Sequence, residues 1–260
     1  MKRTFILLVI LNSFLNFSCS EQDDESEKEN LETFFYSKST KTSDFLGVVS
    51  SQEVLYNSNK KPTKVVTNRG YEIVTLDISY SEGQVSKITK FIDVEDDIYD
   101  KVENYEVILE NNLITLINSD RTDTITEIRS TNGYVDSFKV SRVSVFRIFE
   151  DDRFVRDSEN NIISFDGGPL FFEYSNHDKG NNMPSPGLRD FSNDFFIAFN
   201  LKTSNKFPLN TKVTFEDQAG NIVTEQYNIN SAHLFYDAHN NILKYDSGAG
   251  SRYEFEYIKL

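Results

Sequence analysis

Three histidines, His177, His233 and His239, are the side chains of this chain whose ordinary pKa suits proton transfer near neutral pH. None stands in an HExxH pattern. His177 falls in a polar loop and His239 in a turn, so both read as surface histidines. His233 and His239 could meet on a hairpin as two metal ligands, but the spacing indicates no third, so no metal site is assigned. The acid clusters Asp93, Glu95, Asp96, Asp97 and Glu150, Asp151, Asp152 could ligate calcium or supply the paired carboxylates of a glycosidase. The first lacks the Gly and terminal Glu of an EF-hand loop. With 41 acids in 260 residues, adjacent acids arise easily, and a solvated edge is the plainer reading. Gly248-Ala249-Gly250-Ser251 has the wrong order for a G-x-S-x-G elbow. Asp217 to Asn221 holds a single Gly and no phosphate-binding Lys. No catalytic residue and no cofactor is assigned.

Composition narrows the classes further. The formal net charge of -14 opposes an electrostatic grip on nucleic acid. One cysteine, Cys19, excludes an internal disulfide, a thiolate zinc site and an iron–sulfur cluster. Hydrophobic residues make up 38%, with 22 Phe and 13 Tyr, enough for a folded core.

At the amino terminus, Lys2 and Arg3 precede a 13-residue run without charge, Phe5 to Phe17, followed by Ser18 and Cys19. A positive flank, an apolar core and a small residue before the cut make an export signal, and the run is too short to cross a bilayer as a helix. These residues resemble a bacterial lipoprotein signal, with Ser18 in the small position, Asn16 where Leu is usual and the bulkier Phe17 between them. The resemblance implies that residues 1–18 are removed and that Cys19 is acylated, holding the chain to the membrane by its lipid. From Ser20 to Glu32 come seven acids and one Lys, a solvated tether of at most about 45 Å. An acidic run after the lipidated cysteine also resembles the surface-export signal of Bacteroidetes lipoproteins, which implies an outer-membrane, surface-exposed location. A spacer facing the periplasm is the alternative. Asp123-Thr124-Ile125 is similar to the O-glycosylation site of exported Bacteroidetes proteins, although Thr at the start of a strand explains it equally well.

Residues 33–260 read as one β-rich domain. Apolar residues recur with period two, as in Val74, Leu76, Ile78, Tyr80 and in Tyr253, Phe255, Tyr257, and turn clusters such as Ser81-Glu82-Gly83 and Thr131-Asn132-Gly133 separate the runs. The expected fold is all-β, an antiparallel meander of hairpins forming a curved sheet. One short helix near 186–200 fits Leu188, Phe191, Phe195 and Phe199, but Phe195, Ile197, Phe199 and Leu201 fit a strand equally well, so both stay open. Three segments share one pattern, Asp157 to Ile162, Asp217 to Ile222 and Asp237 to Ile242: an Asp, three residues, an Asn, then aliphatics. That is a turn capped by the Asp, in which an Asn or Gly accepts a left-handed conformation and the aliphatic pair starts the return strand. Tyr80 to Val85 reads as a cruder copy. The last copy, with Tyr236, Tyr245 and the strand Tyr253 to Tyr257, resembles the YD or Rhs repeat, which implies successive hairpins in a curved sheet and places the chain beside Bacteroidetes lipoproteins carrying such hairpins.

The expected role is a binding or interaction module of the envelope, its partner a glycan or an envelope protein. A two-carboxylate glycoside hydrolase and a structural envelope component are the alternatives. Tyr253 and Tyr257 are candidate ligand contacts if their rings form an exposed platform. Alternation with Glu254 and Glu256 favours burial of the row instead.

Overall fold

A computed structural model describes residues 34–44, 46–95, 100–120, 124–142, 147–167, 170–181, 190–246 and 250–260. Phe35–Ile258 and Leu260 form one compact unit, while Met1–Phe34 with Lys259 make up the other. The signal at 1–18, Cys19 with its tether, and Asp123 of the glycosylation motif lie outside the described residues.

Seventeen strands follow one another: β1 (Phe34–Ser43), β2 (Gly47–Tyr56), β3 (Pro62–Asn68), β4 (Glu72–Ser81), β5 (Gln84–Val94), β6 (Lys101–Glu110), β7 (Leu113–Asn118), β8 (Thr124–Thr131) and β9 (Tyr134–Arg142), then β10 (Arg147–Arg156), β11 (Ile162–Asp166), β12 (Leu170–Asn181), β13 (Lys206–Glu216), β14 (Ile222–Asn228), β15 (Leu234–Tyr236), β16 (Ile242–Asp246) and β17 (Ser251–Lys259). Each strand from β1 to β13 pairs antiparallel with the next, ending at β14. The pairing resumes from β15 through β17, and β17 pairs back onto β1. The all-β meander expected from the period-two runs is the fold observed.

Two kinds of turn set the register. Glu82-Gly83 and Asn132-Gly133 are two-residue connections with positive φ at both positions (50° and 79°, 54° and 81°), the backbone that matches strand twist in a tight hairpin. The copy read at Tyr80 to Val85 is therefore a different device from the Asp loops. In those loops one Asp oxygen accepts two backbone N–H groups: Asp157 Oδ1 from Glu159 (2.9 Å) and Asn161 (2.8 Å), Asp217 Oδ1 from Ala219 and Asn221 (both 2.8 Å), Asp237 Oδ1 from His239 and Asn241 (both 2.8 Å). A fourth copy stands at Asn57, whose Oδ1 accepts from Asn59 (2.9 Å) and Lys61 (3.1 Å). The residue before the last is left-handed in all four: Lys60, Asn160, Gly220 and Asn240. In three of them the ladder slips by one residue beside the turn, at Tyr56, Arg156 and Tyr236.

The undecided stretch contains helix α1 (Asp190–Ala198). Phe195, Phe196, Ile197 and Ala198 are all buried, which alternation along a half-buried strand does not allow. The helix ends on a left-handed Asn200, with Asn200 N donating to Ile197 O (2.9 Å) and Leu201 N to Phe196 O (2.8 Å), the paired bonds of a Schellman stop. The exit is stitched to two hairpins: Lys202 N donates to Gly133 O (2.9 Å), and Ile162 N donates to Ser204 Oγ (3.0 Å).

Helix α1 also reports the curvature. Asp194 is held by Gln52 on β2, while Phe196 meets Phe138 on β9 and Phe154 on β10. Eight interstrand spacings separate β2 from β10, about 38 Å if the sheet were flat. Side chains two residues apart on one helix cannot span that distance, so the sheet curls around α1. Val65, Leu76, Ile88, Leu116, Ile128 and Val135 fill the same concave face. A second cluster joins Phe207 of β13 to Leu234, Ile242, Tyr245 and Phe255 of β15–β17.

Candidate functional site

The densest gathering of ionisable groups lies on the concave face where α1 meets β2 and β3. Asp194 is 3% exposed. Its Oδ1 accepts Thr67 Oγ1 (2.6 Å) and Gln52 Nε2 (2.8 Å), and its Oδ2 lies 3.7 Å from Arg69 Nη2. Gln52 Nε2 also donates to Thr67 Oγ1 (3.1 Å), and the Tyr36 hydroxyl donates to Gln52 Oε1 (2.9 Å). Arg69 Nη1 pairs with Glu72 Oε1 at 2.6 Å. Gln52 and Thr67 reach inward because alternate strand residues share a face, and Arg69 with Glu72 closes the β3–β4 connection.

A neighbouring group continues the chain of charges. Glu103 lies 2.8 Å from Lys101 and 3.8 Å from Lys90, and accepts the Tyr105 hydroxyl at 2.7 Å. Burial pushes the Asp194 carboxyl above the ordinary carboxylate range, opposed by Thr67, Arg69 and Gln52. Burial also pulls Lys90 below the ordinary lysine value, against the attraction of Glu103 and Asp194. For Glu103 burial acts upward too, but the bonds from Lys101 and Tyr105 and the charges of Lys90 and Lys101 outweigh it and hold the group low.

Such a cluster orients a helix. The carboxylate of Asp194 is surrounded by donors within the fold, and almost none of it reaches solvent. Its sequence signal is faint: Asp194 is a polar residue before a run of aromatics, and Arg69 precedes a turn glycine. Thr67 and Gln52 are 127 and 142 positions away from it.

The residues singled out from the sequence are dispersed. His177 lies in β12 opposite Pro208, not in a loop, and its Nε2 is 2.7 Å from Ile162 O. Thr67-like burial does not extend to His233 and His239, which are exposed, the first in a short 3-10 turn and the second in the Asp237 loop. Among the described residues no group of three or more His, Cys, Asp or Glu is arranged to hold a metal ion. Asp151 and Asp152 are successive residues of β10 and so face opposite sides; Asp152 is buried, whereas Asp151 pairs with Arg153 (3.2 Å), and the two cannot converge on one substrate. Asp93 sits on β5 opposite Ile73, and Asp96 and Asp97 lie outside the described residues. In the terminal strand Phe255 is buried and Tyr253 and Tyr257 are half-buried. Tyr253 stacks on Tyr245 with centroids 4.4 Å apart, and the Lys41 ammonium stands 5.5 Å from its ring centre. The Tyr257 hydroxyl donates to Ile242 O (3.1 Å).

No family model matches the chain, and no curated protein matches it. Among solved structures, it is similar to a porin-like protein from Bacteroides vulgatus, at 12% identity and TM-score 0.44, over 88% of this chain and 100% of that one. A porin-like protein from Bacteroides uniformis matches at 10% identity and TM-score 0.38, over 86% and 98%. The Photorhabdus luminescens Tc holotoxin pore matches at 11% identity and TM-score 0.26, over 80% of this chain and 13% of that one.

Proposed function

We propose that this chain is a lipid-anchored envelope module that binds a partner through the outer face and edges of its curled sheet. The carrying observation is that α1 and the rings of Phe138, Phe154 and Phe196 occupy the concave face, with the Asp194 cluster tying the helix down. Recognition then falls to the surfaces that remain in water. The export run before Cys19 and the acidic tether after it support attachment by lipid to the outer membrane, with the folded part held clear of the surface. YD-like hairpins fit this reading as an architectural device: the Asp loops fix strand register and leave their tips polar.

The test has two arms. Cells expressing the wild-type chain or Cys19→Ala are labelled with a clickable fatty acid, and intact cells are treated with an external protease. Labelling of the wild type alone, together with digestion in intact cells, is the expected result. Equal labelling of both proteins would end the lipoprotein reading, and full protection from protease would place the module on the periplasmic side.

A further inference from the structure

Among the described residues β14 ladders with β13 alone, and the phase of that ladder is fixed at both ends. Asp217 N donates to Asn221 O (2.9 Å) at one end, and Ile229 N donates to Leu209 O (2.7 Å) at the other. In an antiparallel pair, residues that exchange backbone bonds alternate with residues that do not. Val223, Glu225 and Tyr227 therefore direct their N–H and C=O groups at β13. Ile222, Thr224, Gln226 and Asn228 direct theirs away from the sheet, four donors and four acceptors along a free edge. The devices that usually blunt such an edge are charged side chains, lysine above all, proline or a bulge. Ile222–Asn228 carries one charge, Glu225, no lysine or proline, and an unbroken register with β13. The strand is exposed along nearly its whole length, Ile222 at 71% and Tyr227 at 54%.

We propose that β14 is a strand-addition edge that takes an extended segment of a second protein carrying a basic residue opposite Glu225. The inference rests on the reading of the chain as an interaction module and names where and what it binds. Backbone bonding along an edge supplies affinity for any extended chain, so specificity must come from side chains. Glu225 is central and exposed, and the Tyr227 hydroxyl donates to its carboxylate. At the free edge it occupies a position that exchanges no backbone bonds, where the Cα atoms of facing residues approach to about 4.5 Å. A second copy of β14 does not fit there. Two-fold pairing through all four outward residues sets Ile222 against Asn228, Thr224 against Gln226, and Glu225 against Glu225. Like charges directly opposite each other destabilise a pair. The net charge of -14 points the same way, toward a cationic partner strand.

The probe is a fluorescein-labelled seven-residue peptide, TVTKTVT, compared with TVTETVT by anisotropy against the full-length chain in detergent micelles. The lysine peptide is expected to bind at least about tenfold more tightly than the glutamate peptide, and Glu225→Lys to reverse that order. Thr224→Pro removes one outward N–H and no backbone bond to β13, only the exposed hydroxyl contact with Thr214 (3.4 Å), a substitution an edge tolerates, so it should weaken binding about tenfold with the thermal midpoint little changed. Should that variant misfold, N-methylating alternate residues of the peptide removes the same bonds from the other side. Hydrogen exchange read by mass spectrometry should slow in 222–228 when the lysine peptide is present. Equal affinity for both peptides, no binding of the lysine peptide, or binding untouched by N-methylation overturns the proposal. A dimer in sedimentation that Thr224→Pro dissolves would give the edge to a second copy and also overturn it. Failure of Cys19 labelling would instead remove the anchored-module reading and leave peptide binding as measured.

Discussion

Replacing Phe196 with Ala tests the placement of α1 most sharply. The side chain is 1% exposed and its ring meets Phe138 at 5.8 Å and Phe154 at 6.1 Å, both near edge-to-face. A buried phenylalanine removes about 150 to 200 Å² from water, which at about 25 cal/mol per Å² is about 4 to 5 kcal/mol. Measured truncations of this kind cost about 3 to 5 kcal/mol, so the two routes agree. Against a domain stability of about 5 to 15 kcal/mol the loss is severe. With a urea slope of about 3 kcal/mol per molar, the midpoint should fall by about 1 to 1.7 M. The chain has no Trp, so the transition is followed by far-ultraviolet circular dichroism. Phe195→Ala should cost a comparable amount, because Phe195 is buried against Tyr105. Neighbours can share a buried arc on a helix, whereas on a strand one of the two would face outward. Phe235→Ala, at an exposed ring, is the control and should shift the midpoint little. A midpoint for Phe196→Ala within error of wild type would refute the packing of α1 inside the sheet.

Asp194→Ala should destabilise by about 3 to 5 kcal/mol in the same assay, because it removes a carboxylate held against the buried Arg69 and the acceptor of Thr67 and Gln52, and Asp194→Asn should cost less by keeping an acceptor for Thr67. Burial raises the Asp194 carboxyl in the folded state, so its contribution is complete below the unfolded value and lost as pH rises through the folded one; the deficit of Asp194→Asn relative to wild type should therefore shrink as pH is raised from about 4. Asp237 behaves oppositely: burial raises it, but the bonds from Asn241 and the His239 amide together outweigh that and hold it below its ordinary value, so its contribution is present above about pH 4 and lost as pH falls, and the thermal midpoint of Asp237→Ala should converge with that of wild type in acid. Phe255→Ala should lower the urea midpoint sharply and Glu254→Ala hardly at all; a Phe255→Ala chain of unchanged midpoint that loses binding on a glycan array would make the strand a recognition surface.

Sheet class and hairpin order were legible because alternation and turn chemistry act within a few residues. The Asp157, Asp217 and Asp237 loops could be aligned by eye, and their bonds are the ones their pattern predicts. The Asn57 copy escaped because Asn replaces Asp and Lys60 stands where Asn or Gly ordinarily takes the left-handed backbone. Phe195 to Leu201 could not be resolved locally: period two and period 3.6 both fit, and the four consecutive buried residues that decide for a helix depend on a sheet wrapping both sides. The Asp194 cluster was invisible for a related reason. Its members come from β1 to β4, the β3–β4 connection and α1, and nothing near Asp194 in sequence announces Arg69. Tyr253 and Tyr257 were correctly placed on a strand, but Tyr245 as their neighbour depends on the β16–β17 pairing.

The bond between β17 and β1 orders events in time. Lys38 and Glu256, 3.3 Å apart, are separated by roughly two hundred residues, so one of the earliest strands to be synthesised waits for one of the last. A chain leaving the ribosome emerges from its amino terminus. While it does, β1 has β2 on one side and an open ladder on the other, a species that invites misfolding with its neighbours. Closure comes only with the final strand. Folding of the complete sheet is thus timed by the arrival of the carboxyl-terminal hairpin, and a chain truncated before Ser251 should accumulate as an aggregation-prone intermediate even though most of its strands are present.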